Sequence, residues 1–513
     1  MLKSFTYNGL GRLSQSAVSS GNSAVLTTTY TYRDWGTANT TTQVATLSNS
    51  YGSANTPTSE SFSYTYDVNG NIASVTYGSN TTIYEYDALN ELVWEKNAAA
   101  SKAWEYSYDL GGNILSKKEY DYQNGVVGST PLSTITYTYG DASWPDLLTA
   151  YNGSPITYDG IGNPTSYRGW SFTWQGGRQL AAASDGATSL SFQYNESGLR
   201  TEKTVGSDVH RYVYRGSLLA AEVADNYALY FHHDGNGEIV GFTYSTNNTD
   251  TEYFYRKNLQ GDVIGIVDAA GSSAAKYTYD AWGNILSATD TMANVNPIRY
   301  RGYYYDTETG LYYLQSRYYD PEVGRFINAD AFASTGQGIL GANMFAYCGN
   351  EPVNGVDYTG QIIADATRPW GSGDGVAGYL TVGGATLPNL RQSDASELFG
   401  TFLAILTASL TKIADLNEGY EIHHIVAQRA WRAIPARLVL KQVYKNDGGV
   451  NNPNNLVLVE YDVHRRIHNK YYYDFVNAVV VDAYVFGSIG GEKGQKIVVT
   501  EALRILGILL QSI

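Results

Sequence analysis

The chain has 513 residues and a formal charge of −15, with 34 Lys+Arg against 49 Asp+Glu. That balance excludes a protein that coats nucleic acid with its whole surface, and an aromatic content of 13% excludes a disordered polymer. The single cysteine, Cys348, excludes an internal disulfide framework and a cysteine-based zinc site within one chain. The length allows at least two domains. The 46 tyrosines and 53 glycines predict that most of the chain is strand and tight turn.

The N-terminal stretch MLKSFTYNGLGRLSQ has no apolar h-region, so it is not a signal peptide. The body then repeats itself: YTYDVNGNIASV from Tyr64, YEYDALNELVW from Tyr84, YSYDLGGNILS from Tyr106, ITYDGIGNPTS from Ile156, FQYNESGLR from Phe192 and YTYDAWGNILS from Tyr277. Each unit reads as a strand, a Gly/Asn turn and a short alternating apolar strand. Tyr66, Tyr86, Tyr108 and Tyr279 are expected to place their rings on one strand face, stacked along a curved sheet. Asp67, Asp87, Asp109 and Asp280 are expected to accept local backbone N–H bonds and set the turns. Turn chemistry explains all of these aspartates, so they do not form the acid/base pair of a glycosidase. His232-His233 has no partner histidines at ligand spacing and reads as structural.

Past Gly360 the stretch IIADATRPWGSGDGVAGYLTVGG is glycine-rich and aperiodic, a linker by composition. Leu398, Phe402, Ile405, Leu406, Leu410 and Ile413 then recur at helical spacing, with Ser393 or Asp394 as cap and Gly419 as stop. The run LFGTFLAILTASL at 398–410 is too short to span a membrane. From Lys412 to Ile513 there are 12 Lys+Arg and 10 Asp+Glu, leaving −17 for the preceding residues. An acidic body with a near-neutral end fits two functions in one chain.

That end holds four of the seven histidines: His423 and His424 in EIHHIVAQ, then His464 and His468 in EYDVHRRIHNKYYYDF. HHIV reads as a strand, NLVLV after Asn455 as its hairpin partner, and residues 460–479 as a helix. On that helix His464 and His468, four apart, share a face. His423, His464 and His468 offer three neutral imidazole nitrogens to one divalent ion, with Mg, Mn, Zn and Ni all open. His424 alternates to the other side of its strand and remains as a base of near-neutral pKa. Asn455 clamps the loop between the strands. A base, a positioned water and a cation suffice to cleave a phosphodiester. Arg465, Arg466 and Lys470 are candidate phosphate contacts.

Two resemblances follow from these residues. The repeats look like the tyrosine–aspartate (YD) repeats of the RHS family, related to teneurins and to the C component of insecticidal toxin complexes. Residues 300–360, YRGYYYDTETGLYYLQSRYYDPEVGRFINADAFASTGQGILGANMFAYCGNEPVNGVDYTG, are similar to the RHS-associated core almost throughout. The His-His, Asn, His, His constellation resembles the HNH (ββα-metal) nucleases, with His424 as general base, Asn455 as structural asparagine and His423, His464 and His468 as metal ligands. Ala427 stands where that group often has proline.

Together these imply a mainly β chain: a YD/RHS-repeat β-ribbon shell, incomplete with so few repeats, followed by a small α+β domain with a ββα-metal motif. The expected segments are 1–299 for the shell, 300–361 for the core, 362–391 for the linker and 392–513 for a nuclease toxin domain. The RHS resemblance implies self-cleavage just beyond the core by Asp330 and Asp357, with Arg325 orienting a carboxylate. Here the second aspartate stands in Asp357-Tyr358-Thr359-Gly360-Gln361 where the family has Asp-Pro-x-Gly-Leu, and Ala331 follows the first. The resemblance further implies a secreted or cell-surface-delivered toxin that is the tail of a longer protein, an immunity protein as partner, and nonspecific DNA as substrate, with RNA open to the same chemistry. The competing reading is a non-enzymatic surface or adhesion YD-repeat protein with an inactive tail.

Overall fold

The computed structural model describes residues 1–367, apart from 22, 36–38, 54–55, 332–339 and 362, together with strand residues 381–382, 385–386, 420–424 and 456–460. The chain divides into two compact units, Met1–Asn389 and Leu390–Ile513. Among the described residues there is no α-helix, and the regular structure is strand apart from short 3-10 turns. No helix among them is long and apolar enough to cross a membrane.

Two 14-stranded antiparallel sheets make up the body of the first unit. One runs from Leu2–Tyr7 to Ser154–Pro155 and the other from Thr157–Tyr158 to Ile285–Thr289. Nearly every strand pairs with its neighbours in sequence, as hairpin connections of a few residues require. The sheets meet directly. Arg256 reaches Glu60 at 2.5 Å, Leu259 N–H donates to the Tyr64 hydroxyl at 3.2 Å, and Lys3 pairs with Glu238.

Each repeat is built by its tyrosine and its aspartate. Asp67 Oδ1 accepts the N–H groups of Asn69 and Asn71, both at 2.9 Å. Asp87, Asp109, Asp159, Asp234 and Asp280 accept from the residues two and four further on in the same way. The carboxylate thus satisfies two turn N–H groups that have no ladder partner. The tyrosines act over a longer range. Tyr66 donates to Val44 O at 2.7 Å, Tyr86 to Ile72 O at 2.8 Å, Tyr108 to Leu92 O at 2.5 Å and Tyr279 to Val263 O at 2.8 Å. The pairing register shifts at Tyr66, Tyr86 and Tyr279, the mark of a β-bulge that bends the strand and leaves a carbonyl for the next phenol. The rungs are joined through hydroxyls to the preceding repeat, where the sequence suggested ring stacking.

The described residues of the segment 297–366 share one hydrophobic core with both sheets. Tyr304–Asp306, Leu311–Tyr313, Tyr318–Asp320 and Arg325–Phe326 form a four-stranded sheet of their own. Tyr300, Tyr312, Tyr319 and Tyr347 are almost fully buried there. Charged side chains tie this segment to the second sheet and its turns: Arg200 grips Asp306 at 2.6 and 3.1 Å, Arg301 meets Asp262 at 2.9 Å, and Arg168 meets Asp320 at 2.7 Å. The two buried pairs, Arg200–Asp306 and Arg301–Asp262, are costly to break singly, because the partner left behind is an uncompensated charge. Gly112 (φ +76°) and Gly283 (φ +91°) sit in turns under this segment. A Cβ would lie 2.5 Å from the Leu340 side chain at the first and 2.6 Å from the Tyr300 ring at the second, so only glycine allows the close approach.

Candidate functional site

The core segment brings Asp330 and Asp357 to one guanidinium. Arg317 Nη2 lies 3.1 Å from Asp330 Oδ2 and 3.3 Å from Asp357 Oδ2, and all three residues are buried. Arg317 Nη1 donates to Met344 O at 3.1 Å, its Nε donates to Gly360 O, and the guanidinium stacks 3.5 Å over the Phe326 ring. Asp357 Oδ1 accepts the N–H groups of Thr359, Gly360 and Gln361 at 3.3, 2.7 and 3.0 Å, so residues 358–361 wrap around the carboxylate. Asp357 N–H in turn donates to the Tyr303 hydroxyl at 2.8 Å. Two carboxylates near one another and beside a chain turn can share a proton and divide base and acid roles.

The guanidinium expected from Arg325 is supplied by Arg317. Arg325 lies in the strand Arg325–Phe326 and donates to Asn113 Oδ1 at 3.1 Å, the Tyr139 hydroxyl at 3.0 Å, Asp146 O at 2.9 Å and Asn343 Oδ1 at 3.3 Å. The first three of these bonds join the core segment to the first sheet and its connections. Arg317 stands in SRYYD, immediately ahead of a strand whose three residues are all buried. An arginine ahead of a buried strand marks a buried charge, but nothing local says which carboxylates it meets. Ser316 beside it was missed as well: its hydroxyl lies 2.7 Å from Thr359 O and 2.8 Å from Gly360 O.

Three further carboxyls lie where the core segment and second sheet meet the first sheet. Burial, with the Asp280 carboxylate adding to it, pushes Glu95 up to about 8. Burial pushes Glu351 up to about 8 and Glu91 up to about 7. Glu95 accepts the Ala281 N–H at 2.8 Å, and Asn350 donates to Glu91 at 2.7 Å. These folded carboxyls hold protons above about pH 4.5, where the unfolded chain has released them, so stability falls as pH rises from there to about 8. The thermal midpoint of the body is expected to drop across that window, and Glu95→Gln is expected to flatten the drop. A midpoint that rises from pH 5 to 8 contradicts this assignment.

In the second unit the strand Tyr420–His424 pairs antiparallel with Leu456–Glu460. His423 stands opposite Val457 and His424 opposite Leu456, which puts Asn455 one residue before the position facing His424. Glu460, where the predicted helix begins, is the last residue of the strand. Asn455, His464, Arg465, Arg466, His468, Lys470 and the predicted helices lie outside the described residues. No group of three or more His, Cys, Asp or Glu among the described residues is placed to hold a metal ion. His232 and His233 sit half-buried in the strand Ala228–His233. His232 Nε2 is 2.8 Å from the Thr243 hydroxyl, and burial pushes His233 down to about 4, both as expected of structural histidines.

Asx-locked turns, tyrosine rungs and a tyrosine-rich core segment define a YD-repeat shell carrying a separate C-terminal unit. The chain belongs to the Teneurin YD-shell family, whose model matches residues 78–353. Residues 414–502 match a nuclease family of the HNH/ENDO VII superfamily described by a conserved Ala-His-His, which reads Ile422-His423-His424 here. Among curated proteins the chain is 38% identical over 225 residues to the tRNA3(Ser)-specific nuclease WapA of Bacillus spizizenii, covering 42% of this chain and 9% of that protein. It is 36% identical over 228 residues to the tRNA nuclease WapA of Bacillus subtilis, with the same two coverages. It is 28% identical over 264 residues to the double-stranded DNA deaminase toxin A of Burkholderia cenocepacia, covering 44% of this chain and 18% of that protein. The match thus spans about a tenth of the WapA relatives' length. Among solved structures, the Photorhabdus luminescens Tc holotoxin pore is similar with a TM-score of 0.54 at 18% identity, covering 70% of this chain and 19% of that one. At that identity the likeness establishes the fold.

Proposed function

We propose that the C-terminal unit is a metal-dependent endonuclease of toxin type, carried by the YD-repeat body and separated from it by an aspartate-dependent cut after Gln361. The observation that carries the nuclease reading is the family match over 414–502, laid on a pair of strands with His423 and His424 in one and Leu456, the residue after Asn455 in the sequence, opening the other. In this reading His424 takes the proton of the attacking water and Asn455 holds the loop between the strands. His423, His464 and His468 form a donor set suited to one divalent ion, Mg, Mn, Zn or Ni. Such an ion, when bound, supplies positive charge against the leaving oxygen. Arg465, Arg466 and Lys470 contact phosphates without reading bases. The substrate is nonspecific double-stranded DNA; the names of the WapA relatives favour RNA as a second reading.

The cut beside the core follows from the carboxylate pair. Water oxygen bonds to the Gln361 carbonyl carbon while the ionised carboxylate takes its proton. The protonated carboxyl group hydrogen-bonds to the carbonyl oxygen, and the carboxyl that took the proton from water passes it to the leaving nitrogen as the C–N bond breaks. The products are a new carboxylate on the body and a new amine on the tail. Delivery to the cell surface or outside, and an immunity protein in the producing cell, complete the proposal.

Calorimetric titration of the C-terminal unit with a divalent transition metal tests the division of labour. His464→Ala is expected to weaken binding by removing one of three ligands, and His424→Ala to leave it unchanged. Equal losses in both variants would remove His424 from its role as the off-metal base.

A further inference from the structure

We infer that Ser316 is a positioning residue for the cut beside the core, working with Arg317 to hold the carbonyls of Thr359 and Gly360 so that the chain at Gln361 stays beside Asp357. The inference rests on the proposed self-cleavage and adds the groups that aim the chain.

The hydrogen bonds can be counted. Ser316 N–H donates to Thr359 O at 3.1 Å. The Ser316 hydroxyl has one proton and two carbonyls within reach, at 2.7 and 2.8 Å. Since Thr359 O already receives the Ser316 N–H, the hydroxyl proton is free for Gly360 O. Gly360 O also receives Arg317 Nε–H, so this carbonyl has two donors, one of them charged. The planar Arg317 fork spans from Gly360 O to the two carboxylates, which sets chain and carboxylates in one rigid frame.

Gly360 is itself part of the clamp. It has φ +74°, and a Cβ would lie 2.8 Å from both the Ser316 hydroxyl oxygen and Leu314 O. A side chain at 360 would push the bend off the clamp. A cavity of about 310 Å³, lined in part by Ser316, Arg317, Arg178, Thr359 and Gln361, lies against the same stretch. It gives the attacking water a route to the bond.

The test is a pulse–chase of the full chain made by cell-free synthesis, scored by the appearance of the separated tail on a denaturing gel. Asp357→Asn serves as the uncut reference. Ser316→Ala is expected to slow separation about 10-fold, corresponding to the loss of one hydrogen bond of about 1.4 kcal/mol. Ser316→Thr, which keeps the hydroxyl, is expected to restore the wild-type rate, with the thermal midpoint of the body unchanged in both variants. Arg317→Lys, which keeps the charge but loses the fork, is expected to be slower than Ser316→Ala. Separation of Ser316→Ala at the wild-type rate, with Asp357→Asn uncut, overturns the clamp and leaves self-cleavage standing. A slow Ser316→Ala that threonine does not rescue, with a lowered midpoint, also overturns it, because the serine is then only structural. A wild-type chain that stays as intact as Asp357→Asn overturns both.

Discussion

Replacing His424 by alanine is expected to lower phosphodiester cleavage by the C-terminal unit about 10²–10⁴-fold, the contribution of a positioned acid–base group. The histidine is in a strand paired with Leu456–Glu460, opposite Leu456. Truncation removes an imidazole and leaves the backbone pairing in place, so circular dichroism should not change. The same change at His423 is expected to remove activity together with metal affinity. A His424→Ala variant that cuts at the wild-type rate would move the base elsewhere.

The second large effect concerns the core. The wild-type chain is expected to separate near residue 361 into a body and a tail of about 150 residues, the remainder of the 513. Asp330→Asn or Asp357→Asn is expected to leave one intact band, because a neutral amide cannot take the proton of water. The amide keeps the shape of the carboxyl, and at 357 its oxygen can still accept from Thr359, Gly360 and Gln361. The fold should therefore survive while the reaction stops. If wild type and both variants stay intact on a denaturing gel, the two aspartates only fasten the core segment through Arg317.

The repeats were legible because their chemistry is local. An aspartate that caps N–H groups two and four residues on needs nothing from the rest of the chain, and Asp67, Asp109 and Asp280 do this. The tyrosine partners were not legible in the same way. The Tyr66 hydroxyl bonds a carbonyl 22 residues back, and Tyr279 one 16 residues back, distances that depend on how the bulged strands are registered. The choice between Arg317 and Arg325 was beyond local pattern altogether. Both open short buried strands of the same sheet, and only the packing of 357–361 against one of them decides which guanidinium meets the carboxylates. Glu95 carried no signal either, since its raised pKa comes from burial against the distant Asp280 turn. In the C-terminal unit the sequence placed a hairpin at HHIV and NLVLV; the described strands are Tyr420–His424 and Leu456–Glu460, so the pairing was readable and the start of the first strand was not.

The most direct measurement is cleavage of supercoiled plasmid and of tRNA by the unit Leu390–Ile513, with and without a chelator. Both substrates are offered at equal phosphate concentration with one added divalent ion. The account predicts nicked or linear plasmid with metal, none with chelator, and much less cutting by the uncleaved full chain at the same molar amount. Cutting of tRNA alone would keep the nuclease and change its substrate. A folded, metal-loaded unit that cuts neither nucleic acid would contradict the account.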